Sequence, residues 1–211
     1  IWLCSAATAA ELPDIQTMRT ALHESVRQRL DCMVWHDGAS PAATGLTYSS
    51  TGDELAVVPG RWSERKAAHL FHGALRGELV DVPAGGFTLT CWLRVNGFDQ
   101  TSANPHGCVM SMGDGWRDGW RLILRPREEQ KAILVFTIGK AGGGRGVNCG
   151  GRFTMGDWHH IAVTWDHETL ALWIDGIVRT QAVVTMPYTP PAKRPEFGVG
   201  ACGTDGLGAL D

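Results

Sequence analysis

The chain is predicted to fold as an all-β protein, two antiparallel sheets packed face to face as a sandwich. Three observations predict this: short runs in which apolar and polar side chains alternate, turn residues between those runs, and a single stretch with helical spacing. A two-residue period places one set of side chains on a buried face and the other in solvent. Serial short strands without intervening helices have to be antiparallel and pack as a sandwich or closed barrel.

The elements follow in chain order. Ile1–Ala10 reads as the end of a secretory signal. Ile1, Trp2, Leu3 and Cys4 finish an apolar stretch, and Ala7-Thr8-Ala9 or Thr8-Ala9-Ala10 supplies small residues for the peptidase. Residues 11–31 carry the helical spacing: Asp14 is placed as N-cap before Ile15, Met18, Leu22, Val26 and Leu30. From Cys32 the period changes. Phe87, Leu89, Cys91, Leu93 and Val95 alternate with Thr88, Thr90, Trp92 and Arg94. Cys108–Met112, Trp120–Leu124 and Ala132–Ile138 read as further strands, followed by a loop at Gly142-Gly143-Gly144. The strongest signal is Trp158–Val184. Ile161, Val163 and Trp165 form one core face, Asp166-His167-Glu168-Thr169 turns the chain, and Leu170, Leu172 and Ile174 form the next. Asp175-Gly176 then marks a tight hairpin, because both residue types accept positive φ, and Ile177 begins a third strand.

Composition bounds the function. At 211 residues one domain is expected, and 27 glycines and 10 prolines fit a turn-rich fold. A net charge of −3 leaves no basic footprint for nucleic acid or an anionic membrane, and no apolar run is long enough to span a bilayer. Nine tryptophans against two tyrosines supply rings that either fill a core or stack on a sugar. Of six cysteines, Cys4 would leave with the signal, and Cys32, Cys91, Cys108, Cys149 and Cys202 remain. No CxxC pair exists, which argues against a zinc knuckle. Cys91, inside a strand pattern, reads as a buried thiol, and disulfide pairing among the others stays open.

The order of segments resembles the laminin-G-like, concanavalin A-like jelly rolls. Phe87-Thr88-Leu89-Thr90-Cys91-Trp92-Leu93 is similar to that family's "FTISAWV" strand. Trp158–Trp165 followed by Leu170–Gly176 resembles its "WHHVAVTYD…LRLYVDG" hairpin. Met33–Gly38 is similar to its first strand, Gly60–Phe71 to its "GRFGKALRF" segment, and Phe197–Gly200 with Gly208–Asp211 to its closing "IGG…GLIDE". The likeness spans residues 32–211. It implies a jelly-roll domain over that range whose last strand would lie beyond Asp211, leaving a sheet edge open. It also implies one structural calcium ion, held by Asp211 in the closing segment with Asp37 nearby, Asp81 and Asp205 being spare carboxylates.

Candidate ligand residues lie in Gly113–Trp120. Asp114, Trp116, Arg117 and Asp118 bring carboxylates, a guanidinium and an indole together, a set able to cover the CH face of a sugar and bond its hydroxyls. Trp120 sits where the resembling family opens a strand and reads as structural. His159-His160 invites a metal, but neighbours on a strand point to opposite faces. The "ExDxxE" cluster of glucanases of related fold, which sets paired carboxylates on one strand face, does not occur, nor does a G-x-S-x-G elbow. Gly142–Gly146 lacks the Lys-Ser/Thr ending of a phosphate loop. The expectation is therefore a non-catalytic recognition module of an exported, periplasmic or cell-surface protein, part of a longer polypeptide, whose partner is a glycan or an extracellular protein. A structural or adhesive spacer is the second reading and a glycoside hydrolase the third.

Overall fold

The computed structural model describes residues 46–51, 54–62, 66–71, 74–79, 86–98, 106–113, 118–128, 130–139, 147–184 and 196–200. The signal-like segment, the helix expected over 11–31 and the first strand at 33–38 lie outside them. Among the described residues thirteen strands are formed: β1 (Leu46–Thr51), β2 (Glu54–Pro59), β3 (Lys66–Phe71), β4 (Ala74–Leu79), β5 (Phe87–Leu93), β6 (Gly107–Met112), β7 (Trp120–Pro126), β8 (Lys131–Ile138), β9 (Val147–Thr154), β10 (His159–Trp165), β11 (Thr169–Ile174), β12 (Ile177–Val183) and β13 (Glu196–Val199). They make a seven-stranded sheet in the order β1-β4-β13-β6-β7-β8-β9, a four-stranded sheet β12-β11-β10-β5, and a two-stranded ribbon β2-β3. All strand pairs are antiparallel. The all-β, two-sheet antiparallel jelly-roll sandwich is thus the observed fold.

Alternation is what joins the two large sheets. Along β5 the apolar set is half-buried while Thr88, Thr90 and Trp92 are exposed. On β10 and β11, Ile161, Val163, Trp165, Leu170, Leu172 and Ile174 face inward and meet Leu122, Leu124, Leu134, Phe136 and Ile138 of the larger sheet. An aromatic group fills one part of this core: Phe87 lies 5.4 Å from Trp165 and 6.1 Å from Trp120, and Trp120 stacks on Phe136 at 5.9 Å. Trp120 is 2% exposed, in keeping with a structural role. Cys91 is a free thiol packed against the core, and burial pushes it up to about 12. Cys108 is disulfide-bonded.

Two irregularities aim side chains. Between β11 and β12, Leu172 pairs with Thr180 and Trp173 with Val178, so Arg179 is the extra residue of a β-bulge. Asp175 and Gly176, with φ of 55° and 76°, form the tight turn expected between these strands. The strands β1, β2, β4 and β9 were not foreseen as strands from the sequence. In β9, Gly150 and Gly151 interrupt the pattern of apolar side chains on which such a reading depends.

Candidate functional site

The loop between β6 and β7 is the one in which ligand residues were expected. Its ends are fixed by backbone. Gly113 and Gly119 both adopt positive φ, 71° and 64°, and Gly119 accepts a hydrogen bond from the Gly139 N–H at 2.8 Å. A Cβ on Gly139 would stand 2.6 Å from the Asp118 backbone, so the chain after β8 runs directly beneath the loop's end. Asp118 is half-buried there. Asp114, Trp116 and Arg117 lie outside the described residues, as do Asp37, Asp81, Asp205 and Asp211, on which the calcium expectation rests. Among the described residues no three His, Cys, Asp or Glu side chains gather as a group that could hold a metal.

His159 and His160 point to opposite faces, as adjacent strand residues must. His159 packs on Phe153 with ring centroids 5.2 Å apart. Its Nδ1 lies 2.7 Å from Asp175 Oδ2, and its Nε2 2.9 Å from the Thr154 carbonyl oxygen. Asp175 also accepts the His160 backbone N–H at 2.9 Å. Partial burial pushes the Asp175 carboxyl up, but the hydrogen bonds from His159 and His160 and the charges of His159 and Arg179 outweigh this and hold it below the usual carboxylate range. This is a structural cluster at a hairpin end.

On the outer face of the four-stranded sheet the structure assembles an aromatic ledge. Trp92 of β5 is directly paired with His160 of β10, their rings 5.1 Å apart. Trp62, from the segment following β2, meets Trp92 edge-on at 5.5 Å. The Arg61 guanidinium stands 3.8 Å above the Trp92 ring and 4.9 Å from that of Trp62. A second arginine–indole pair, Arg94 over Trp158 at 5.2 Å, continues the row. Trp62 is 43% exposed and Trp92 36%. Each arginine–indole contact of this kind contributes roughly 0.5–1 kcal/mol where solvent reaches it, which helps hold the rings in place. Chemically the ledge offers apolar ring surface beside a cation and an imidazole, which suits the CH faces and hydroxyls of a saccharide.

The sequence had placed Trp92 on the outward side of its strand, and that was the available signal for the ledge. Trp62 could not be joined to it, because thirty residues of chain separate them. Two further carboxylates have local partners. Asp166 accepts the backbone N–H groups of Glu168 and Thr169 at 3.0 and 2.6 Å, closing a turn. Glu128 is ion-paired with Lys131 at 3.1 Å.

Residues 72–209, more than half of the chain, match the family described as the concanavalin A-like lectin/glucanases superfamily. No curated protein matches by sequence. Among solved structures, domain 4 of an extracellular arabinanase from Geobacillus stearothermophilus, determined with arabinotriose, is similar at TM-score 0.51 and 17% identity, covering 78% of this chain and 77% of that one. The botulinum neurotoxin serotype G binding domain is similar at 0.58 and 11%, covering 85% and 45%. The enzymatically active domain of bacteriophage CBA120 tailspike protein 2 is similar at 0.59 and 15%, covering 80% and 27%. The chain thus spans less than half the length of the last two. No helix among the described residues is long and apolar enough to cross a membrane.

Proposed function

Since the chain belongs to the concanavalin A-like lectin/glucanases superfamily, we propose that it is a non-catalytic carbohydrate-binding module of an extracellular or surface protein. The observation that carries this reading is the exposed pair Trp62 and Trp92, held edge to face by Arg61 outside the core. Large rings left in solvent on a rigid sheet are expected where a ligand covers them. The similarity to a domain determined with arabinotriose supports a saccharide as that ligand. The loop residues Asp114, Trp116, Arg117 and Asp118 form a second contact region in this proposal, and calcium held through Asp37 and Asp211 a structural aid to it.

A glycan array probed with the chain, Trp62→Ala and Trp116→Ala tests the reading. Signals lost with Trp62→Ala place the ligand on the ledge, and signals lost only with Trp116→Ala place it at the loop. A flat array for the unaltered chain favours the structural spacer. Release of reducing sugar from β-glucan or arabinan would restore the hydrolase reading. Chelation that lowers the melting temperature of the chain but not of Asp211→Asn would support the calcium.

A further inference from the structure

The opposite side of the molecule carries a concentration of positive charge that the aromatic ledge does not use. On the outer face of the seven-stranded sheet, Arg125 of β7 pairs with Ile133 of β8, and Ile133 pairs with Arg152 of β9. This gives a straight row Arg–Ile–Arg across three strands, with the two arginines two strand spacings, about 10 Å, apart. Beside them Val135 pairs with Gly150, so the floor next to the arginines is an aliphatic side chain and a residue without one. Arg125, Ile133, Arg152, Val135 and Gly150, with Arg127 and Arg179, line a groove of about 500 Å³, within the usual size of a ligand site.

Arg179 comes from the other sheet, and two separate features bring it here. It is the extra residue of the bulge in β12, the device by which a strand re-aims a side chain. Its stem then crosses β9 at Gly151: a Cβ there would lie 2.8 Å from Arg179 Cβ and 3.1 Å from Cγ. The Thr180 hydroxyl donates to the Gly150 carbonyl and ties β12 to β9 at this point. A bulge and a glycine on facing strands therefore complete one groove from two sheets.

The charge is unbalanced. Glu128 is shared between Arg152 at 3.7 Å and Lys131 at 3.1 Å, and Asp175, hydrogen-bonded to His159 and His160, also feels the charge of Arg179. Four arginines thus line one groove in a chain whose net charge is −3. The arginines outnumber these two carboxylates, so the field along the groove is positive and favours an anionic ligand.

We propose that this groove binds an acidic polysaccharide, through carboxylate or sulfate groups that take the arginines as forked donors while the sugar lies on Ile133 and Val135. The arginine separation is comparable with a disaccharide unit, so charges on alternate sugars would meet Arg125 and Arg152 in turn. Among the described residues no aromatic ring lines the groove to give the stacking that single-stranded nucleic acid uses. The proposal deepens the reading of the chain as a saccharide-binding module and rests on it.

Calorimetric titration with polygalacturonate, dextran sulfate, neutral dextran and poly-glutamate tests it. Binding to one or both acidic polysaccharides, but not to dextran, is expected, and the stronger of the two identifies the carboxylate or the sulfate as the natural group. Arg125→Gln with Arg152→Gln is expected to weaken that binding by roughly tenfold or more, and Arg179→Gln to weaken it alone. Arg61→Gln on the other face should leave it unchanged. The arginines are exposed, so unaltered circular dichroism and melting should accompany the loss. Equal affinity for poly-glutamate, or full binding by the double variant, overturns the proposal. Trp62→Ala separates the two readings: loss of neutral-glycan signals with retained acidic binding supports both, whereas retained neutral-glycan signals with lost groove binding in the arginine variants removes the ledge and keeps the groove.

Discussion

His159 Nδ1 lies 2.7 Å from Asp175 Oδ2, joining the start of β10 to the turn that ends β11. The other ring nitrogen lies 2.9 Å from the Thr154 carbonyl oxygen, so the imidazole links this turn to the end of β9 as well. The pair ties a core-facing imidazole to a hairpin whose backbone has positive φ at two successive residues.

Asp175→Asn is expected to destabilise the fold by about 1 kcal/mol, since a hydrogen bond to a charged group is stronger than a neutral one but is screened at a partly exposed site. Asn tolerates the φ of 55°, so the change isolates the charge. The folded carboxyl lies below its unfolded value, so its contribution is full above about pH 4 and falls away as pH drops through the lower folded value. Chemical denaturation at pH 7 and pH 3 checks this: the difference between wild type and variant should shrink at the lower pH.

Gly119→Ala is expected to cost about 2 kcal/mol or more. The residue has φ of 64°, and a Cβ there would stand 1.8 Å from the Met112 carbonyl oxygen, a backbone atom that can yield only by moving the strand. Thermal melting would measure it. Gly176→Ala provides the contrast, because nothing lies within 4 Å of its Cβ position and only the conformational cost remains.

Leu172→Ala is expected to destabilise by about 2–5 kcal/mol, the range for emptying a fully buried leucine site. Val183→Ala, on the exposed face of β12, should change stability by less than about 0.5 kcal/mol. Urea unfolding of the two variants would show whether the inward set of this hairpin carries the core.

Cys91 is expected to resist alkylation in the native protein near pH 8, because burial pushes its thiol to about 12 and leaves almost no thiolate. Mass spectrometry after iodoacetamide treatment should find Cys91 modified only once denaturant is added. Modification at the native rate of a free thiol would show that β5 opens locally.

The legible parts of the fold were those in which local pattern and tertiary role coincide. Ile161, Val163, Leu170, Leu172 and Ile174 alternate and are all buried, and Asp175-Gly176 turns where its φ preferences predict. Trp120 was read as structural and lies in the core. The strand β9 was missed because glycines occupy positions where an alternating apolar set would announce a strand, and one of them, Gly151, admits Arg179. The expected ligand residues were chosen by closeness in sequence; of these Asp118 lies among the described residues, held against Gly139.

Period and turn chemistry alone determined that this chain builds antiparallel strands with an apolar face, since side-chain direction along a strand depends only on its own backbone. Which strands become neighbours, and therefore which distant side chains meet, was decided by the tertiary structure. Arg61 and Trp62 reach Trp92 through the packing of a segment outside that sheet, and Arg125, Arg152 and Arg179 share a groove only because of strand register and one bulge. Register is a cooperative outcome of the whole core and is not written in any single run of residues.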